Sequence, residues 1–167
     1  MHPYHHPLFI QFIVYFNDNQ DYFECHEVLE DYWKSIPNSD KGHPLTAYIL
    51  LATGMYHWRR GNFAGAMRTL RKVEKKLPTF LGIYAEEIDV PQLIGDVRQA
   101  VDLVEKILPF EYFSLIITSL NLAKQIELEK QSMTLLPKGS DAVIHKHMLR
   151  DRSDILRERD EKKKGRH

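Results

Sequence analysis

The stretch from Asp21 to Trp33, DYFECHEVLEDYW, constrains the chain most, because it sets ionisable side chains among large aromatics at helical spacing. Asp21, with Glu24 three residues on, reads as an N-cap and its capping-box partner. Pro37 is a stop, so the segment predicts a helix from Tyr22 to about Ile36. At roughly 100° per residue, Tyr22, His26, Leu29, Trp33 and Ile36 fall in one apolar stripe, with Phe23 and Glu30 on its flank. His26 is therefore expected to face inward, with Glu30 one turn above it. Glu27 sits further round, and Glu24 and Asp31 face away. An imidazole and a carboxylate in an apolar seam are costly unless they satisfy each other or a third partner. That cost makes this the first place to look for function.

The remaining pattern is helical too, and the expected fold is all-α. It is a helical bundle (1–136) with a central antiparallel helical hairpin, extended by a charged C-terminal helical or partly disordered segment (137–167). A first helix opens at Pro7 and runs through Phe9, Phe12, Ile13 and Phe16 until Asn17-Asp18-Asn19 breaks it. The segment from Leu45 to Trp58 is apolar on nearly every face and reads as the central buried helix. Gly61 stops it, and Asn62 caps a partner in which Phe63, Ala66, Met67, Leu70, Val73 and Leu77 recur at spacings of three and four. Asp89 and Pro91 begin a fifth helix with Leu93, Ile94, Val97, Val101, Val104 and Leu108 on its apolar face. Phe110 to Thr118 is aromatic and β-branched, and is expected to lie extended over the bundle before a short helix from about Ser119 to Gln131.

The segments Phe16-Asn17, Tyr22 to Trp33, Leu50 to His57 and Arg60 to Ala66 together resemble the bacterial and archaeal domain-of-unknown-function family 309. Its mark is a histidine-glutamate-x-x-glutamate-x-x-tryptophan signature, met here by His26, Glu27, Glu30 and Trp33. The resemblance spans roughly Asn17 to Leu77 and implies a small all-α bundle and candidate positions, with no activity attached.

Two chemical readings of that cluster compete. In one, His26, Glu30 and His57 ligate a divalent metal with an open position for water, and Glu27 acts as base, making a metal-dependent hydrolase. The fifth position of the motif is Glu30 rather than a second histidine, so the zinc-protease inference does not transfer. In the other, His26 and Glu30 belong to a hydrogen-bonded cluster that fixes helix packing, with Tyr22, Trp33 and Tyr56 as structural or pocket residues. The chain is then a non-enzymatic interaction or regulatory module. A solvent-open cavity at His26, Glu27, Glu30 and His57 favours the hydrolase, and a dry, fully paired core favours the module. Cys25 points about 100° away from His26 and reads as a buried structural thiol.

Charge bounds the partners. Basic and acidic residues balance at 23 each, which argues against nucleic acid as the main partner without excluding it, and against an anionic membrane surface. A local basic surface remains, made by Arg68, Arg71, Lys72, Lys75 and Lys76, with Arg59 and Arg60 extending it toward an acidic protein partner. One cysteine, no secretory signal and no apolar run near the ~20 residues of a membrane span place the chain in the cytoplasm. Near the end, Ile144, His147, Met148, Leu149 and Ile155 form a narrow apolar stripe that can close over the bundle or pair with another chain. His2, His5 and His6 form a cluster able to catch metal adventitiously.

Overall fold

A computed structural model describes residues 2–82 and 85–145. Seven α-helices are assigned there: α1 Pro7–Val14, α2 Tyr22–Ser35, α3 Leu45–Arg59, α4 Phe63–Lys76, α5 Val90–Glu105, α6 Leu120–Ser132 and the short α7 Asp141–Ile144. A 3-10 turn, Pro3–His5, precedes α1, and a π-type turn, Tyr15–Asn19, follows it. The β structure among the described residues is one antiparallel bridge, Ile88 to Ile117. The chain is all-α, as its periodicity implies.

Local chemistry sets the helix starts. Asp21, Asn62, Asp89 and Ser119 each accept the backbone N–H three residues on, which satisfies an amide that a helix start leaves without a partner. His6 does the same for α1 through its ring, accepting the Leu8 N–H at 3.1 Å. Packing then runs in sequence: α6 lies on α1, α1 on α2, α2 on α3, α3 on α4 and α4 on α5. The α3–α4 hairpin is the most extensive pairing, and Gly54 lets its helices meet. A Cβ there would stand 2.6 Å from the Leu70 side chain, which must then move.

The segment between α5 and α6 is extended over the bundle, and Asn17 clamps it by two hydrogen bonds at Leu115. Its amide donates to the Leu115 carbonyl (3.0 Å) and its side-chain oxygen accepts the Leu115 N–H (2.8 Å). Phe110 meets the edges of Trp58 and Tyr22, and Phe113 meets Phe16. Leu108 is corrected by this route. α5 ends at Glu105, Ile107 turns through a positive φ of 55°, and Leu108 leaves the apolar face with its carbonyl accepting the Trp58 indole N–H at 3.1 Å.

The face that α2 buries keeps Tyr22 and Leu29 of the expected stripe but not its other members. Tyr22, Cys25, Leu29 and Tyr32 are buried, whereas His26, Trp33 and Ile36 are only partly covered. The stripe is displaced by about one residue because α1 and the turn before it claim that side. Cys25 lies 3.6 Å from the Phe12 carbonyl, the Tyr32 hydroxyl donates to the Pro3 carbonyl (2.9 Å), and the His6 ring stacks on Tyr32. His26 and Trp33 are left at the rim facing α3. The apolar stripe of the C-terminal segment falls largely outside the described residues. Within them, Val143 is buried and its carbonyl receives Arg59 at 3.4 Å.

Candidate functional site

Antiparallel packing of α2 on α3 leaves a seam whose outward edge carries two clefts. The C-terminal end of α2 lies opposite the start of α3 and the end of α4. There Glu30, Trp33, Lys41, Thr46, Ile49, Leu50, Lys72 and Lys76 line a cleft of about 400 Å³. Its lining is mainly apolar, and its charged groups are three lysines and the single carboxylate of Glu30. Lys76 is held in place by the Lys41 carbonyl (2.7 Å) and the Thr46 hydroxyl (3.4 Å), and the Trp33 indole donates to the Asp40 carbonyl (3.1 Å). At the other end, Phe23, His26, Glu27, Thr53, Tyr56, His57 and Arg60 line a second cleft of about 410 Å³.

His26 and Glu30 divide the two. His26 Nε2 is 3.3 Å from Glu30 and its Nδ1 is 3.5 Å from Glu27, so each ring nitrogen faces a different carboxylate. Both His26 and Glu30 are 33% exposed, so the pair sits at a wet rim rather than in an interior seam. Glu30 also meets Lys34 at 2.8 Å, and its carboxyl is held below the ordinary range by that hydrogen bond first and by His26 second.

The structure thus brings His26, Glu27 and His57 to one open cleft and turns Glu30 toward the other. Asn62 orients the His57 ring at that cleft. The Asn62 side-chain oxygen accepts the Gly65 N–H (3.0 Å), so the Asn62 NH₂ is the group that meets His57 Nδ1 at 3.3 Å. An Nδ1 that accepts leaves the proton of a neutral imidazole on Nε2. Gly65 secures this orientation, since a Cβ there would lie 2.6 Å from the Asn62 amide.

The remaining candidates separate cleanly. Tyr22 is core, with the Arg59 guanidinium 4.7 Å above its ring, and burial pushes its phenol well above the ordinary value. Burial likewise raises the Cys25 thiol, which marks it as structural. Arg68, Arg71, Lys72 and Lys75 are exposed on α4, Arg71 lying 3.7 Å from Glu105 of α5. Arg59 and Arg60 do not extend that surface. Arg59 turns inward, donating to the Gln20 carbonyl (2.6 Å), and Arg60 lies over the Tyr56 ring at the second cleft. Ile49 and Leu50 were hidden in the sequence by the apolar character of all α3. The signal that marks their edge is the line Thr46, Thr53, His57, spaced by seven and then four residues.

The family described as "Domain of unknown function (DUF309)" matches residues 9–69, which are α1 through the middle of α4. "Uncharacterized protein YpuF" of Bacillus subtilis (strain 168) is 33% identical over 163 residues, covering 91% of this chain and 91% of its own. The chain belongs to the DUF309 family. Both clefts lie largely on the matched segment, and Lys72 and Lys76 of the first fall just beyond it. No solved structure matches this DUF309 chain. No helix among its described residues is long and apolar enough to cross a membrane.

Proposed function

We propose that this DUF309 protein is a non-enzymatic interaction module that takes an acidic, amphipathic segment of a partner protein in the first cleft. One observation carries the reading. Trp33, Ile49 and Leu50 share the cleft with three lysines, Lys41, Lys72 and Lys76, while its one carboxylate, Glu30, is already paired with Lys34, on a chain of zero formal charge. A neutral protein that concentrates cations beside apolar side chains selects for ligands pairing apolar side chains with carboxylates. Arg68 and Lys75 on the same helix extend the attraction along α4. Nucleic acid fits less well, because a base can stack on Trp33 but leaves the aliphatic Ile49 and Leu50 without an apolar partner. The module acts in the cytoplasm, and residues 137–167 extend a bundle formed by residues 1–136.

Trp33 lines the cleft and the second tryptophan, Trp58, is buried, so Trp33 emission reports occupancy. The test titrates the full chain with a synthetic helical peptide bearing leucines on one face and glutamates on the other. The expected result is a saturable change in emission that weakens with added salt. An equal response to a peptide with lysines in place of the glutamates would refute the reading.

A metal-dependent hydrolase centred on His26, Glu27, Glu30 and His57 is the second reading, and the openness of the second cleft supports it. Against it stands the division of the cluster, since Glu30 lines the first cleft while His26, Glu27 and His57 line the second. Stoichiometric metal that leaves with His57→Ala would restore it.

A further inference from the structure

The tightest convergence of metal-ligating atoms lies far from the seam, where the turn before α1 meets the loop before α5. In a 3-10 turn, residues three apart stand on the same side, so His2 and His5 present their rings together, 5.1 Å between centroids. Both Nε2 atoms face Glu87, at 3.9 Å from Oε1 for His2 and 2.9 Å from Oε2 for His5. Glu86 adds a second carboxylate 3.2 Å from His2 Nε2. The ligand atoms of His2, His5 and Glu87 all lie within 4.8 Å of one another. No other group of three or more such residues does so among the described residues.

We propose that His2, His5 and Glu87 form a three-ligand binding site for a divalent transition metal of the zinc type, with the fourth position left to water. Tetrahedral bonds of about 2.1 Å put neighbouring ligand atoms roughly 3.4 Å apart, and the two imidazoles stand 2.9 and 3.9 Å from the two oxygens of the Glu87 carboxylate, on either side of that spacing. Two imidazoles and a carboxylate are the donors that such a cation takes at neutral pH. The set is also partly sheltered. The side chains of His2, His5 and Glu87 are 21%, 13% and 8% exposed, and the loop is fastened by the Thr118 N–H on the Glu87 carbonyl (3.0 Å). His6 is not part of it, since its Nδ1 caps α1 and its ring stacks on Tyr32.

The second hydrogen bond on each ring decides how well the set fits. His5 Nδ1 meets the Gln125 carboxamide at 3.0 Å, and that group can turn its oxygen inward to accept Nδ1–H while Nε2 binds metal. His2 Nδ1 accepts the Tyr4 N–H (3.1 Å), so metal on Nε2 requires the ring proton to move to Nδ1 and that bond to be given up. Losing one such bond lowers affinity by about tenfold, which three coordination bonds outweigh. The metal would staple the N-terminal turn to the loop before α5, with Gln125 of α6 as a positioning residue.

The test uses the full chain without an affinity tag, stripped by chelator and titrated with Zn²⁺ against a chromophoric competitor, then with Co²⁺ for its visible spectrum. The expected result is one equivalent, a tetrahedral Co²⁺ spectrum, and a loss of about 100-fold or more in Glu87→Gln and in His5→Ala. Gln125→Ala should lose about tenfold, and His6→Ala nothing. Glu87→Gln keeps the side chain's shape, and circular dichroism establishes that each variant is folded. Absence of binding, unchanged affinity in folded Glu87→Gln, or equal losses in His5→Ala and His6→Ala would overturn the site.

Discussion

The two ends of the α2–α3 seam are built from the same pair of helices and nearly the same volume of space, yet they carry different charged groups. At one end Trp33, Ile49 and Leu50 share the cleft with three lysines and Glu30, and at the other His26, Glu27, Thr53, His57 and Arg60 make a mixed polar wall. The difference follows from what closes each end. The first cleft borrows Lys72 and Lys76 from α4 and Lys41 from the preceding loop, whereas the second is closed by residues of α2 and α3 and the turn after α3. A motif confined to α2 therefore names residues of both clefts without saying which of them binds.

The comparison breaks most readily at the buried stripe that holds both clefts in register. Leu29→Ala, at a fully buried position, is expected to cost about 2–5 kcal/mol in denaturant unfolding. A cost near zero would mean that α2 is rotated from the position described. Next in size, Lys72→Glu combined with Lys76→Glu should weaken the leucine–glutamate peptide by roughly 10–100-fold, or about 1.4–2.8 kcal/mol. Arg60→Glu, at the other cleft, should leave that affinity within about twofold. Isothermal titration of both variants separates the ends.

Smaller effects sharpen the picture of the divide. His26→Ala should cost less than about 1 kcal/mol, because its contacts to Glu27 and Glu30 are partly solvated. A loss beyond about 3 kcal/mol in thermal unfolding would instead indicate an interior pair. Smallest of all is the pH dependence of Glu30. Its folded carboxyl titrates below its unfolded value, so its contribution is present above the unfolded pKa and lost as pH falls through the folded one. The difference in stability between the native chain and Glu30→Gln should accordingly shrink in acid, below the ordinary carboxylate range. A difference independent of pH would contradict the ion pair with Lys34.

Much of this architecture was legible in residue order. Asp21 and Pro37 bracket α2, Asn62 and Asp89 cap the helices they were expected to cap, and the extended stretch over the bundle was visible in its aromatic, β-branched composition. The rotation of α2 was not. Cys25 and His26, or Tyr32 and Trp33, are adjacent apolar or amphipathic pairs, and either member can serve the core. Contacts of Phe12, Pro3 and His6 with Cys25 and Tyr32 made the choice, and those are tertiary. The candidate site divides the same way. His26 and Glu30 were found by their spacing of four, but the first cleft draws its lysines from a loop and α4, and the contact of His5 with Glu87 spans 82 positions. No helical period reaches across such a distance.

The most direct measurement is a two-dimensional ¹H–¹⁵N spectrum of the full chain during titration with the leucine–glutamate peptide. The expected result is progressive shifts at the Trp33 indole N–H, Ile49, Leu50 and Lys72, with Phe23, His57 and Arg60 silent. Shifts gathered instead around His26, His57 and Arg60, or none at saturating peptide, would contradict the assignment of recognition to the lysine-bearing cleft.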